Sequence, residues 1–294
     1  MRTHALSIDP RPSGDRTVTS VPGDPRSARS AMIQCGPSME TWLSALEIAD
    51  LVRRKEVKPL EVLDADSRQT RSGQPDAQRV LPRDRRRRPR RRARGGDRGD
   101  EGRAASVLLH GVPFSVKDVL PTRGLTTTGG SRLFADFVPE EDALSFGRLK
   151  AAGAVLFGKT NTSEFGHKAF TENPLFGITR NPWDTTLTPG GSSGGGAAAV
   201  ASGVGPIALG TDGGGSVRIP AAFCGLYGFK PSFGRVPDRA LFGGFEHVSH
   251  VGPITRTVRD AAAVLDVVAG GDDRDRSSLP RELGSYLEGV RRAT

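Results

Sequence analysis

The feature that most constrains the fold of this chain is an alternation of short apolar runs, glycine-rich turns and helical patterns that begins at His110. Residues 142–152 predict a helix that Gly153 ends, and the apolar run 154–157 predicts a buried strand directly after it. Alternating helices and strands are typical of an α/β domain. We therefore expect an α/β core over residues 108–294.

Further elements of the same kind follow. Residues 197–201 predict a helix of small residues, and 206–210 predict another buried strand. Thr257 and Asp260 form a capping-box pattern, and the apolar stripe after them predicts a helix that ends at Gly270. The last 24 residues are charged and weakly patterned, so no element is predicted there.

The N-terminal part divides into two segments. Residues 1–38 have little periodicity, and we predict a disordered extension. Segment 39–70 is predicted to be helical, because Ser44 and Glu47 form a capping box before an apolar stripe. Pro59 is suited to the first turn of a second helix, which we expect to run to about Ser67.

The net charge of +9 is concentrated in one arginine-rich segment, residues 79–103. It holds 12 arginines and four acidic residues, a net charge of +8, which leaves +1 for the rest of the chain. Blocks of like charge order poorly, so we predict disorder over 71–107. Because no aromatic residue interleaves the arginines, a nucleic-acid contact is the less favoured interpretation. The abrupt change of composition near Leu108 suggests a disturbed reading frame upstream of that residue.

Composition narrows the class of protein. Hydrophobic residues make up 36% of the chain, which suits a soluble globular protein. Neither an apolar run of about 18 residues nor a secretory signal pattern is present, so no membrane span is predicted. The two cysteines, Cys35 and Cys224, give neither a disulfide framework nor a zinc spacing, and we predict a cytoplasmic protein without a metal or cofactor.

Two short motif matches are weakened by their context. Residues 153–160 fit the phosphate-loop pattern GxxxxGK[ST], but the residues between the glycines are Ala, Val, Leu and Phe, which predict a strand and not a polar loop. Residues 191–195 fit GxSxG around Ser193, but the preceding stretch is turn-rich and lacks the strand that a nucleophile elbow needs. Since His247 and His250 follow, a serine–histidine pair stays open as an alternative.

Three longer runs stand in the order 111–118, 190–196 and 211–225. Taken singly, Lys117 fits a surface lysine, and the Gly/Ser runs fit plain turns. However, both glycine-rich runs lie against predicted helices or strands inside the α/β domain. A triple glycine before Ser216 also frees backbone N–H groups to point into one concavity, as an oxyanion hole requires.

These three runs resemble the amidase signature family, and the similarity extends over roughly residues 110–270. The spacings also agree with the family pattern: 75 residues separate Lys117 from Ser192, and 24 separate Ser192 from Ser216. The resemblance implies a three-layer α/β/α sandwich with a central mixed twisted sheet. Because family members are longer than this chain, it also implies a sheet that is incomplete at the C-terminal end.

The resemblance also implies roles for individual residues. Ser216 matches the nucleophile, Ser192 matches the serine on a cis peptide bond that relays the proton, and Lys117 matches the base. The implied oxyanion donors are the N–H groups of Gly213, Gly214, Gly215 and Ser216. The implied supporting residues are Ser193, Asp212 and Arg218.

The chemistry of such a triad is coherent in itself. A free lysine, with a pKa near 10.4, is charged at neutral pH and cannot act as a base. Burial within the run 112–117 would lower the pKa of Lys117 and favour its neutral form. The neutral amine would then draw a proton through Ser192 from Ser216, which attacks an amide carbonyl and forms an acyl-enzyme that water releases.

Three functions follow as candidates. The first is an amidase that acts on a small-molecule amide with a small, aryl or alkyl group, as a homodimer or with a partner chain. The second is the glutaminase chain (the A subunit) of a glutamyl-tRNA amidotransferase, which takes ammonia from glutamine. The third is an inactive fragment whose arginine-rich segment binds nucleic acid, which a steep salt dependence of DNA binding would support.

Overall fold

A computed structural model describes residues 42–59, 61–62, 80–81, 108–239, 242 and 247–293. The predicted N-terminal extension 1–38 and Cys35 lie outside the described residues, as does the segment 71–107 apart from residues 80–81. The disorder predicted for the residues outside stays a prediction, whereas Val80 and Leu81 form a strand where disorder was predicted.

The described strands are short. They are β1 (Val80–Leu81), β2 (Pro113–Lys117), β3 (Val155–Thr160), β4 (Glu172–Asn173), β5 (Gly177–Ile178), β6 (Ile207–Asp212), β7 (Tyr227–Gly228) and β8 (His250–Thr255). Among the described residues, six of them form one sheet in the order β1-β3-β2-β6-β8-β7, and β4 pairs with β5. β2 runs parallel to β3 and β6, whereas the β1–β3, β6–β8 and β7–β8 pairs are antiparallel. The prediction of a mixed sheet is confirmed.

Helices cover both faces of this sheet. The described α-helices are α1 (Ala45–Arg53), α2 (Leu144–Ala151), α3 (Gly194–Ala201), α4 (Arg218–Phe223), α5 (Val258–Val268) and α6 (Tyr286–Ala293). On β6, Ile207 and Leu209 join the core formed with α1, α2, α5 and α6, whereas Ala208 joins the core formed with α3 and α4. Because side chains alternate along a strand, the two cores lie on opposite faces. The three-layer α/β/α arrangement is therefore confirmed.

The predicted helix at Ser44 is confirmed, with both hydrogen bonds of its capping box present. The second capping box forms only in part. Thr257 accepts from the Asp260 N–H, but the Asp260 carboxylate accepts a hydrogen bond from the Leu46 N–H, at 3.1 Å, in place of closing the box on α5. Asp260 thus joins α1 to α5, which sequence spacing does not reveal.

β8 and α6 are among the elements that were not predicted. β8 contains Gly252 and Pro253, which interrupt the apolar pattern, yet it pairs with β6 along its whole length. α6 is highly charged, and its N-terminus is capped from a distance: the Asp266 carboxylate accepts hydrogen bonds from the N–H groups of Tyr286 and Leu287. A local cap is also present, because Ser285 Oγ accepts a hydrogen bond from the Glu288 N–H at 3.1 Å, so the S-x-x-E pattern at 285–288 is a start signal that was not used to predict α6.

The phosphate-loop match is a strand, as predicted from its apolar residues. β3 continues through Lys159, whose side chain is buried. Lys159 Nζ donates to Leu120 O at 2.5 Å and to the hydroxyl groups of Thr122 and Thr127 at 2.8 and 3.0 Å, and it lies 3.8 Å from Asp118 Oδ1. This lysine is therefore a buried structural partner and does not face a phosphate site.

We predict that Lys159→Met lowers the free energy of unfolding by about 3–5 kcal/mol, because it leaves the buried Asp118 carboxylate without its cation. Urea denaturation measures the change. The matched control is Lys55→Met at an exposed lysine, which should stay within about 0.5 kcal/mol of the parent. Adding Asp118→Asn to Lys159→Met should restore part of the loss. Equal stabilities of Lys159→Met and the parent would contradict this role.

Candidate active site

A cavity of about 350 Å³ lies where the parallel strands β2 and β6 end. Its wall includes Ser192, Thr211 and Ser216, together with the aromatic side chains of Phe165 and Phe242. Clefts at the carboxyl ends of parallel strands are the usual place for ligands in α/β sheets. The three segments that contain the sequence-predicted site residues therefore meet at one cavity.

Lys117 and Ser192 form a short polar contact in this site. Lys117 is the last residue of β2 and is 1% exposed, and its Nζ lies 2.7 Å from Ser192 Oγ. The peptide bond between Gly191 and Ser192 is cis, as the resemblance implied. Burial lowers the pKa of Lys117 to about 7, although the negative charge of Asp212 opposes this shift. A substantial fraction of Lys117 is therefore neutral near pH 7.

The segment around Ser192 is held by Thr171, a buried residue that precedes β4. Its hydroxyl donates to Gly190 O at 2.9 Å and accepts from the Gly194 N–H at 3.0 Å. Thr171 thus bridges the two sides of the turn that carries Ser192. The sequence did not indicate this residue, because contacts across 19 and 23 residues leave no local pattern.

Ser193 joins the serine turn to the neighbouring glycine loop. Its N–H donates to Ser216 O at 3.1 Å, and its hydroxyl donates to Thr211 O at 3.2 Å. His250 Nδ1 lies 3.1 Å from Asp212 O, and His247 is exposed. Within the described ranges, neither histidine contacts Ser193, so the geometry does not support the serine–histidine alternative.

The Asp212 carboxylate braces the loop 213–217. It accepts hydrogen bonds from the N–H groups of Gly215 and Val217, at 2.7 and 3.1 Å, and from two guanidinium nitrogens of Arg218, each at 2.9 Å. Burial favours a higher pKa for Asp212, but the hydrogen bonds from Arg218, Val217 and Gly215 outweigh it and hold the pKa at about 2. Asp212 is therefore ionised at neutral pH.

This brace changes the expected set of oxyanion donors. The Gly215 N–H points to Asp212, so it is already committed, in contrast to the sequence expectation. As far as the structure describes the chain, the N–H groups of Gly213, Gly214 and Ser216 have no protein acceptor. The tight turn at Gly215, with φ +118°, directs its N–H to the carboxylate.

Ser216 is half-buried on the cavity wall. Among the described residues its hydroxyl makes no hydrogen bond, so none joins Ser216 Oγ to Ser192 Oγ. The structure thus brings Lys117 and Ser192 together and places Ser216 beside the same cavity. No three His, Cys, Asp or Glu side chains of the described part gather in a way that could hold a metal ion.

A family model described as Amidase matches residues 87–293, more than half of the chain. The chain belongs to the amidase signature family. The resemblance seen in the three sequence runs is thereby confirmed. Among the described helices of this amidase-family chain, none has both the length and the apolarity needed to cross a membrane.

Relatives of this amidase-family chain include different enzymes. It is 40% identical to the A subunit of glutamyl-tRNA(Gln) amidotransferase from Persephonella marina, over 85% of this chain and 52% of the relative. It is 42% identical to an acylamidase of Rhodococcus erythropolis, over 84% and 52%. A solved structure of 6-aminohexanoate cyclic dimer hydrolase complexed with substrate is similar with a TM-score of 0.73 and 34% identity, over 85% and 51%. The chain thus spans about half the length of the relatives it matches.

We predict that Thr171→Val lowers the free energy of unfolding by about 2–4 kcal/mol, because Gly190 O and the Gly194 N–H both lose a buried partner. Chemical denaturation provides the measurement. Thr171→Ser keeps the hydroxyl and should recover most of the loss. If the serine variant is as unstable as the valine variant, the hydroxyl bridge is not what holds the turn.

Proposed function

We propose that this amidase-family chain hydrolyses the C–N bond of a carboxylic amide to give an acid and an amine or ammonia. The observation that carries the proposal is the 2.7 Å approach of the buried Lys117 Nζ to Ser192 Oγ, beside a cavity that Ser216 lines. In this proposal Ser216 is the nucleophile, Ser192 relays the proton and Lys117 is the base.

The electrostatics of Lys117 support its role as the base. An ordinary lysine is protonated at neutral pH, but burial lowers the pKa of Lys117 to about 7. Its neutral amine can take the Ser192 proton while Ser192 takes the proton of Ser216. Because no hydrogen bond joins these two hydroxyl groups in the structure, the relay requires one to form when substrate binds.

The covalent steps then balance. Ser216 Oγ bonds to the carbonyl carbon, and the oxyanion accepts hydrogen bonds from the N–H groups of Gly213, Gly214 and Ser216. Each such donor contributes about 3 kcal/mol to transition-state stabilisation in comparable sites. The C–N bond breaks as Ser192 gives its proton to the leaving nitrogen, and Lys117 returns a proton to Ser192, which restores the neutral amine. Water then attacks the acyl-enzyme through the same relay and releases the acid and the free Ser216 hydroxyl.

The walls of the cavity favour an amide with an apolar or aryl group. Phe165 and Phe242 line it with their ring centroids 5.3 Å apart, and Leu120 lies on the same wall. Two cations of the wall have acidic partners: Lys168 lies 3.4 Å from Glu172, and Arg239 lies 3.2 Å from Glu141. The aromatic and aliphatic part of this wall is suited to an apolar substrate group.

Sequence similarity supports a second candidate, the A subunit of a glutamyl-tRNA amidotransferase, because a relative of that name is 40% identical over most of this chain. The same triad would then release ammonia from glutamine. Glutamine hydrolysis that appears only with partner chains would favour it over the amidase. A homodimer, a cytoplasmic location and the nucleic-acid-binding fragment stay predictions from the sequence.

We predict that Ser216→Ala abolishes covalent labelling of the purified chain by a fluorophosphonate probe, because Ser216 Oγ is the proposed nucleophile that displaces fluoride and bonds to phosphorus. Intact-mass spectrometry measures the adduct, and circular dichroism checks that the variant is folded. Ser232→Ala changes an exposed serine and should label like the parent. Parental labelling of Ser216→Ala would overturn the assignment of the nucleophile.

We predict that the labelling rate of the parent rises with pH through a midpoint near 7. Below this pH Lys117 is protonated and cannot accept a proton, whereas above it the amine is neutral. The rate should therefore fall about tenfold for each pH unit well below the midpoint. A rate that does not change between about pH 5.5 and 9 would exclude Lys117 as the base.

A further inference from the structure

We propose that Thr211 is a positioning residue for the reaction: it accepts both N–H bonds of neutral Lys117 and so directs the amine lone pair at Ser192. The inference rests on the proposed function, in which Lys117 must accept a proton from Ser192. Thr211 lies in β6, directly before Asp212, whose carboxylate binds the glycine loop.

A neutral amine can make only a few hydrogen bonds. It has two N–H bonds and one lone pair, whereas the ammonium form has three N–H bonds and no acceptor. Three oxygen atoms of the described residues surround Lys117 Nζ: Ser192 Oγ at 2.7 Å, Thr211 Oγ1 at 2.9 Å and Thr211 O at 3.5 Å. If both N–H bonds go to Thr211, the lone pair is left for the Ser192 hydroxyl.

Thr211 is suited to hold this orientation. It pairs with Val251 in the sheet, so its backbone is fixed, and its β-branched side chain has few rotamers. Its carbonyl oxygen also accepts a hydrogen bond from Ser193 Oγ at 3.2 Å. One residue therefore positions both the amine of Lys117 and the serine next to Ser192.

The charged groups near Lys117 are already paired in other ways. Asp212 raises the pKa of Lys117, but its carboxylate is bound by Arg218 and by N–H groups of the glycine loop. Lys159 is opposite Val116 in the β2–β3 register, so it lies on the other face from Lys117, where it approaches Asp118. Changing the uncharged Thr211 therefore alters the hydrogen bonds of Lys117 without changing the charges around it.

Thr211→Val keeps the shape of the side chain and removes Oγ1. The ammonium form of Lys117 then loses a charge-assisted hydrogen bond, which is stronger than the bond that the neutral amine loses, so the pKa of Lys117 falls. We expect the midpoint of the labelling profile to move down by about half to one pH unit. The plateau rate should fall about tenfold, because the lone pair is no longer directed at Ser192.

The test compares Thr211→Val with Thr211→Ser, which keeps the hydroxyl and should restore both midpoint and plateau. Thr211→Ala removes the hydroxyl with less steric demand and should repeat the shift if the valine variant does not fold. The matched control is Thr122→Val, which removes the hydroxyl next to the other buried lysine, Lys159, and should keep the parental midpoint. A structural role alone would lower the folded fraction and leave the midpoint in place, which would overturn the proposal.

A second readout separates this inference from the proposed function. Titration of ¹³Cε-labelled lysine by NMR, with the Lys117 signal assigned by Lys117→Met, reports the pKa of Lys117 without any reaction. If the parent does not label at Ser216, the proposed function fails, and the NMR titration alone decides on Thr211. A Lys117 pKa that is the same in the parent and in Thr211→Val would overturn the inference.

Discussion

The burial of Lys117 is the constraint on which the rest of the site depends. A lysine at the end of a central strand loses its hydration, and the pKa of its amine falls to about 7. Such a side chain needs hydrogen-bond partners, and the structure supplies them from two other segments, at Ser192 and at Thr211. The three segments are thus held together by the need to satisfy one buried amine. The protonation state of Lys117 and the position of the turn that carries Ser192 therefore depend on the same hydrogen bond.

Asp212 has the complementary task on the neighbouring loop. Its carboxylate collects N–H donors from Gly215, Val217 and Arg218, and this fixes the direction in which the remaining N–H groups point. The loop also has N–H groups that the Asp212 carboxylate does not bind, those of Gly213, Gly214 and Ser216. The negative charge of Asp212 also opposes the effect of burial on Lys117, because it favours the ammonium form and raises the pKa. Saturation of Asp212 by its own donors limits that effect.

Much of this fold is visible in local sequence patterns, and the exceptions have physical causes. The helix at Ser44 and the strand β3 follow from capping and apolar periodicity, which act within a few residues. The Thr171 bridge joins segments about 20 residues apart, so it leaves no local signature, and Asp266 adds a distant cap to α6 beside the local cap at Ser285. In the site, the resemblance to the amidase signature family implied Lys117, Ser192 and Ser216, but a motif does not state which N–H group a carboxylate binds. The hydrogen bond from the Gly215 N–H to the Asp212 carboxylate is seen only in the three-dimensional structure of the loop.

The run of glycines at the start of α3 has a consequence for how such a site can change. A methyl group placed on Gly195 would lie 2.5 Å from the backbone of Asn161, so no larger residue fits where this helix meets the end of β3. The start of α3, next to Ser192, therefore tolerates little increase in side-chain volume. Phe165 and Leu120, by contrast, line the cavity, where a side chain can change size at the expense of empty space. Substitutions that adapt the chain to new substrates are therefore expected on the cavity wall. The reacting groups stay in place because the contacts that hold them also hold the domain together.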